Sequence, residues 1–292
     1  MLSILIVNWN TRDLLRACLR SIFQFAPKRD FEVIVVDNAS HDASAEMVET
    51  EFPTDRFPNL TLIRSGGNLG YAKGNNLAFA AAKGDLLLTL NPDTEFLDCA
   101  LEQACQELES RPEAGALAIR QIGTQGETQK SIRGFPTVPR LAWEMLGGTK
   151  LFPKTDRYFL RNLNYDQAQW VPQPMATFTL VRRTALDKIG DPKAPFDERF
   201  PIFFNDVDLM YRLHQANLPC WYTPTARVLH HGGEGTKQVR KSMIWESHRS
   251  LLTYLRKHAG TGLAGFGLFI LTPLVLAAAF VRAKGYHAGF RP

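Results

Sequence analysis

Three observations predict an α/β protein built on a mostly parallel central sheet flanked by helices. Short apolar runs alternate with segments of helical spacing through the first half, and three of those runs stop abruptly at polar residues. The chain also has 292 residues and 45% hydrophobic content, enough to bury a full core. Strands buried on both faces read as continuous apolar runs, and open α/β sheets bind ligands beyond the carboxyl ends of such strands.

The elements follow in order. Ile4 to Val7 is the first strand, and Leu14, Leu15, Cys18, Leu19 and Ile22 then recur at helical spacing. Glu32 to Val36 is the second strand, followed by a short helix at Ala45, Met47 and Val48 with Asp42 as its cap. Leu60 to Arg64 is the third strand, Tyr71 to Lys83 a helix of small residues, and Leu86 to Leu90 the fourth strand. A helix through Leu101 and Leu108 leads to a strand near Ala116 to Ile119. From Gly123 to Trp170 the pattern loosens, as in a long functional loop. Order returns with a strand at Phe178 to Val181 and a helix at Thr184 to Ile189. After the polar turn Asp191 to Arg199 comes a helix marked by Leu209, Leu213 and Ala216, whose first turn holds Asp206 and Asp208.

Charge separates the tail from the body. From Lys237 onward nine Lys or Arg residues face Glu246 alone, so this segment carries +8 of a net +5 and the remainder is about three units negative. Such a local basic segment suits nucleic acid or an anionic membrane. The uncharged stretch from Ala259 to Val281, flanked by Arg256, Lys257, Arg282 and Lys284, favours the membrane and argues against nucleic acid. Its length suffices to span a bilayer, while Pro273 and the small residues leave a helical hairpin, an in-plane anchor or a buried terminal helix open. Cys18, Cys99, Cys105 and Cys220 lack paired metal spacing, and Met1 to Val7 reads as a core strand rather than a leader. Reduced thiols and a cytoplasmic location are the expectation.

The strand endings carry the chemistry. Asn8-Trp9-Asn10-Thr11, Asp37-Asn38-Ala39-Ser40 and Asn91-Pro92-Asp93 each follow an apolar strand, which delivers Asn8, Asp37 and Asp93 to one sheet edge. Asn-Pro-Asp by itself is an ordinary turn, and Asp37 by itself is a cap. Three such endings together describe a site. A carboxylate on rigid backbone there suits a hard cation that bridges diphosphate oxygens.

Seven segments, in order, carry a resemblance: Ile6 to Asn10, Val36 to Ser40, Asn68 to Ala72, Asn91 to Asp93, Phe196 to Phe200, Asn205 to Leu209, and His230 to Gly233. Over most of Leu2 to Gly233 the chain resembles a family 2 glycosyltransferase of the GT-A fold, closest to rhamnosyltransferase-like members that build bacterial surface polysaccharides. The resemblance implies a GT-A domain at 1–235, with a nucleotide-sugar half at about 1–120 and an acceptor half at about 121–235. A basic, apolar helical appendage at 236–292 would associate with the membrane.

It further implies a dTDP- or UDP-sugar donor, bound by Asn8, Asn10, Asp37, Asn38, Asn68, Gly70, Asn91 and Asp93. Asp37 would accept the N3–H that uracil and thymine share. Mg²⁺ or Mn²⁺ would be held by Asp93 and His230. Asp206 would be the general base of an inverting transfer, its pKa raised by desolvation or by Asp208. The acceptor would be a lipid-linked or growing glycan at the inner face of the cell membrane, with Arg133, Trp170 and Arg183 on the acceptor side. Two departures stand out: Asn91 and Asn205 occupy positions where relatives carry acids. They leave room for a catalytically silent nucleotide-sugar-binding scaffold. A sugar nucleotidyltransferase would want a glycine-rich basic loop after the first strand, which Asn8 to Thr11 is not.

Overall fold

The computed structural model describes residues 1–232, 239–259, 263–288 and 290. Gly233, the last residue of the histidine segment, and the boundary at 235/236 lie outside them. The order is β1 (Leu2–Asn8), α1 (Arg12–Gln24), β2 (Phe31–Asp37), α2 (Ser44–Glu51), β3 (Leu60–Arg64), α3 (Gly70–Ala81), β4 (Leu86–Leu90), β5 (Thr94–Glu95), α4 (Ala100–Glu109) and β6 (Ala116–Ile122). There follow β7 (Ile132–Arg133), α5 (Val138–Met145), α6 (Gly148–Leu151), β8 (Gln169–Val171), β9 (Gln173–Pro174), β10 (Phe178–Arg182), α7 (Arg183–Ile189), α8 (Asn205–Gln215), β11 (Cys220–His230), α9 (Arg240–His258) and α10 (Leu263–Ala283).

The main sheet runs β3-β2-β1-β4-β10-β6-β11-β5, with β8 added beside β11. The first four strands are parallel, and Asn8 lies opposite Asp37 in register. The three polar endings therefore do share one sheet edge. The central run Leu86 to Leu90 is buried at every residue, and two apolar clusters cover the two faces of the sheet.

Three strands run against the rest: β5 and β8, each paired antiparallel with β11, and β10 within the sheet. β10 pairs antiparallel with both β4 and β6, so Phe178 lies opposite Leu90 at the site edge and Arg182 opposite Leu86 at the far edge. The stretch without clear period contains α5 and α6, which are too short for three turns to reveal a repeat. Asp42 has two duties: Oδ1 accepts from the Ser44 N–H at the start of α2, and Oδ2 accepts from the Arg12 N–H at the start of α1.

The apolar C-terminal helix is present as expected, but it is not detached from the body. Leu252, Tyr254 and Leu255 of α9 and Leu268, Leu271 and Val275 of α10 belong to the same buried cluster as Leu5, Val7 and Val36. Ion pairs fasten α9 as well. Lys257 Nζ and His258 Nε2 reach Asp208 Oδ1 at 2.5 and 2.7 Å, and Lys257 also holds Asp197 at 2.7 Å. Asp208 is fully buried and takes Arg212 Nε at 2.8 Å on its other oxygen. A buried carboxylate is tolerated only with such partners. Removing it deprives Arg212 of its carboxylate and leaves Lys257 with Asp197 alone. Asp208→Ala is accordingly expected to cost about 3–5 kcal/mol in urea unfolding, and a loss under 1 kcal/mol would show that α9 is held by apolar packing alone.

Candidate functional site

The strand endings are knit to one another before they meet any ligand. Asn8 is fully buried; its amide donates to Asp37 Oδ1 (3.3 Å) and Ser40 Oγ (3.1 Å), and its carbonyl oxygen accepts from Thr11 Oγ1 (2.6 Å). Asp37 Oδ2 accepts from the Ser40 N–H. Asn10 stands at φ +52°, where its backbone N–H donates to Ser40 Oγ and its Oδ1 accepts from the His41 N–H. These contacts lock the turns after β1 and β2 together.

The cavity itself, about 1000 Å³, opens one residue further on. Asn38, Asn68, Gly70, Asn91, Asp93, Asp206 and His230 are all on its wall. Asn8, Asn10 and Asp37 are not on it; the contacts of Asn8 and Asn10 described above run to Asp37, Ser40, Thr11 and His41. Asp37, the last residue of β2, lies just behind the wall with two of about four acceptor positions filled by Asn8 and Ser40. Asn38 ties the wall to α3, donating to Asn68 Oδ1 and Gly70 O and accepting from the Leu69 N–H. Gly70 opens α3 at φ +79°, and a Cβ there would come within 2.8 Å of Pro201 O. Only glycine lets the helix start so close to that backbone.

On the opposite wall, Phe204 precedes α8 at φ +68°, a left-handed conformation costly for an aromatic residue. That bend buries Asn205, whose amide donates to Phe200 O (3.1 Å) and Ile202 O (2.9 Å). Asn205 is therefore more than a weakened acid: a carboxylate cannot donate to two carbonyls. Asp206 follows, with Oδ1 accepting from its neighbour Val207 N–H and Oδ2 from the Ala176 N–H. Burial pushes its pKa above the usual carboxylate range, with those two N–H groups opposing. Asp208 is not the cause expected from the sequence. Two residues apart on a helix, the side chains diverge by about 200°, and Asp208 faces α9 instead.

Tyr71 was not singled out by its sequence context, though it belongs to the Asn68 to Ala72 segment. Its hydroxyl donates to Ala176 O at 3.2 Å, and the N–H of the same residue donates to Asp206 Oδ2, so Ala176 stands between Tyr71 and Asp206. Burial raises its pKa, and the Asp206 and Asp93 charges raise it further, which places the phenol within the field of both carboxylates.

Gln129 was also missed, because nothing local marks it. Its Nε2 donates to His230 O (2.8 Å), which orients the amide so that Oε1 faces His230 Nδ1 at 2.7 Å. Nδ1 must then carry the proton toward Gln129, and Nε2 presents its lone pair to Asp93 Oδ1 at 3.5 Å. That Nε2 is buried with no hydrogen-bond partner among the described residues. A lone pair and a carboxylate oxygen facing at this distance suit a cation shared between them. No group of three or more acidic, His or Cys side chains forms a metal cage among the described residues, so two protein donors would leave positions open for phosphate and water oxygens.

The acceptor-side residues fall elsewhere. Arg183 donates to Gly84 O and Ala82 O at the far edge of the sheet, because antiparallel β10 carries its end away from the site. Trp170 pairs with Trp221 near the start of β11, opposite Leu117 at the start of β6, and is likewise remote. Arg133 lies on β7 beside β9, but its guanidinium donates to Lys130 O and Ile132 O and is not on the cavity wall. The reversed strand instead brings Met175, Ala176 and Thr177 to the cavity.

Comparison with known proteins places this architecture. The family model described as Glycosyl transferase family 2 matches residues 3–190. An N-acetylglucosaminyl-diphospho-decaprenol L-rhamnosyltransferase of Mycobacterium tuberculosis is 27% identical, over 89% of this chain and 86% of that protein. Rhamnosyltransferase WbbL of Escherichia coli is 24% identical over 88% and 93%. Among solved structures, mannosyltransferase PcManGT from Pyrobaculum calidifontis, in complex with GDP-Man and Mn²⁺, superposes with TM-score 0.59 at 17% identity, covering 97% of this chain and 74% of that one. S. aureus TarS 1-349 with UDP-GlcNAc does so with TM-score 0.57 at 15% identity, covering 96% and 72%. These share the GT-A fold.

The double donation from Asn205 yields a direct test. Asn205→Asp, nearly isosteric, sets a carboxylate against two buried carbonyl oxygens and is expected to lose about 1–3 kcal/mol in urea unfolding; an unchanged midpoint would mean that the amide is dispensable.

Proposed function

The chain belongs to glycosyl transferase family 2, and from that premise we propose that it is an inverting transferase that moves rhamnose from dTDP-rhamnose, or a related sugar from a dTDP- or UDP-donor, to a lipid-linked or growing bacterial surface glycan at the cytoplasmic face of the membrane. One observation carries the reading: Asp206, kept in a desolvated place, lies on the wall of the same cavity as Asp93 and His230. The rhamnosyltransferase names of two full-length relatives support the choice of sugar, and the decaprenol-linked acceptor of one of them supports the lipid.

In this reading Asn38, Asn68 and the start of α3 receive the donor, the N-terminal N–H groups of the helix favouring the diphosphate. Asp37 uses its remaining acceptor capacity for the N3–H of the pyrimidine. Mg²⁺ or Mn²⁺ held by Asp93 and His230 would offset the charge that builds on the departing diphosphate. The acceptor hydroxyl attacks the anomeric carbon from the face opposite the diphosphate and its proton passes to Asp206, so the bond to the diphosphate breaks as the glycosidic bond forms. One base suffices for this single displacement. Val207 and Ala176 N–H groups hold both carboxylate oxygens, and the Tyr71 hydroxyl donates to the Ala176 carbonyl oxygen.

A base must be ionised to act. Because the Asp206 pKa is raised, kcat/KM is expected to rise with pH through that elevated value and to be lost as pH falls below it. Asp206→Asn is expected to lower transfer from labelled dTDP-rhamnose about 10²–10⁴-fold while donor binding by calorimetry persists; undiminished transfer would refute the assignment. Gln129→Leu frees the His230 ring and is expected to weaken Mn²⁺ binding, followed by electron paramagnetic resonance, about 10–100-fold. Equal affinity would remove His230 from the cation site.

A further inference from the structure

We propose that α10 and the α5–α6 hairpin together form one bilayer-docking face, on which the protein lies in the plane of an anionic membrane instead of crossing it. Helix α10 is apolar on every side. Its inner stripe, Leu268, Leu271, Val275, Ala279 and Ala283, is buried against the body. Its outer stripe, Phe266, Phe269, Ile270, Leu274, Phe280 and Val281, is 50–78% exposed. At about 100° per residue those positions fall within one side of the helix, and they run roughly 22 Å along it at 1.5 Å per residue. Crossing a bilayer would strip the inner stripe from α9 and from the core cluster it completes. Lying flat exposes only the stripe that has no protein cover among the described residues.

The second element lies alongside. α10 packs on α5, close enough that a Cβ on Gly267 would come within 2.8 Å of Val138 Cγ1. Beyond that contact the hairpin presents Trp143, Met145, Leu146, Leu151 and Phe152, all 41–80% exposed. So many large apolar side chains in one short segment go beyond the scattered exposure of an ordinary surface.

Charge selects the occupant. The acids of the hairpin region, Glu144 and Asp156, are both engaged by Arg161. Lys150, Lys154 and Arg157 on the hairpin, and Arg282 and Lys284 at the end of α10, are exposed and have no carboxylate partner within 4 Å among the described residues. Apolar side chains flanked by unneutralised cations match the acyl and phosphate layers of an anionic leaflet. A second copy of this chain would instead bring like charges together. The face is also continuous with the cavity: six residues beyond Lys284, Phe290 lies on the cavity wall beside Gly70, its N–H donating to Glu246 Oε2 at 3.0 Å. Docking of this kind does not depend on which sugar is transferred.

The test uses the full chain with vesicles of phosphatidylglycerol and phosphatidylcholine, or of phosphatidylcholine alone. Cosedimentation is expected with the anionic vesicles and weakened by salt. The paired variants Leu146→Glu/Leu151→Glu and Phe269→Glu/Val281→Glu replace exposed side chains and are each expected to reduce partitioning about tenfold or more, with circular dichroism unchanged. Full binding by the hairpin pair would overturn the two-element face. Fluorophores placed through Phe269→Cys, Leu274→Cys and Phe280→Cys in a Cys99→Ser background, quenched by brominated lipids, are expected at one shallow depth. A deepest position at residue 274 would overturn the in-plane arrangement in favour of a spanning helix. Absence of vesicle binding with concentration-dependent dimers in sedimentation would overturn it in favour of a second copy.

Discussion

The antiparallel pairing of β10 between β4 and β6 is the constraint on which the site depends. A parallel strand at this place would bring its carboxyl end to the site and send its approach to the far edge. Reversal does the opposite, setting Thr177 O to accept from the Asn91 N–H and bringing Ala176 within reach of Tyr71 and Asp206. Two adjacent residues, Ala176 and Thr177, thereby link the donor-side helix α3, the Asn-Pro-Asp turn and the start of α8. Parallel β1, β2 and β4 supply the other wall, and the cavity is the gap between them.

Helix α8 shows how one short segment serves two electrostatic purposes. Asp206 and Asp208 share its first turn and the favourable end of its dipole, yet they point apart. Asp208 is surrounded by Lys257, His258 and Arg212 and joins the C-terminal helices to the body. Among the described residues Asp206 is met by the backbone N–H groups of Val207 and Ala176, and burial raises its proton affinity. The left-handed Phe204 just before the helix is strained, and the Asn205 amide donates back to Phe200 and Ile202 across that turn. Seen this way, Asn205 in place of an acid is a structural choice, which removes one of the two motives for a silent scaffold.

The C-terminal region is woven into the same unit. Met243 of α9 and Ala288 and Phe290 beyond α10 line the cavity that β1 and β4 begin. A helix that completes the core on one side and offers a bare apolar stripe on the other couples the position of the cavity to whatever surface that stripe meets.

The fold class, the order of the early strands and the identity of Asn38, Asn68, Gly70, Asn91, Asp93, Asp206 and His230 as cavity residues were legible in the amino-acid sequence. Continuous apolar runs ended by Asn, Asp and Pro are local signals, and the parallel-sheet rule turns them into one edge. Only the tertiary structure decided which polar groups face the cavity and which face each other. The sequence contains Asn8 and Asn10 but not their commitment to Ser40 and His41; it contains Arg183 and Trp170 but not the strand directions that carry them to the far edge. Gln129 orients His230 from 101 positions away, and Lys257 reaches Asp208 across 49. Such partners are chosen by sheet pairing and core packing over long separations, and no local pattern of residues records that choice.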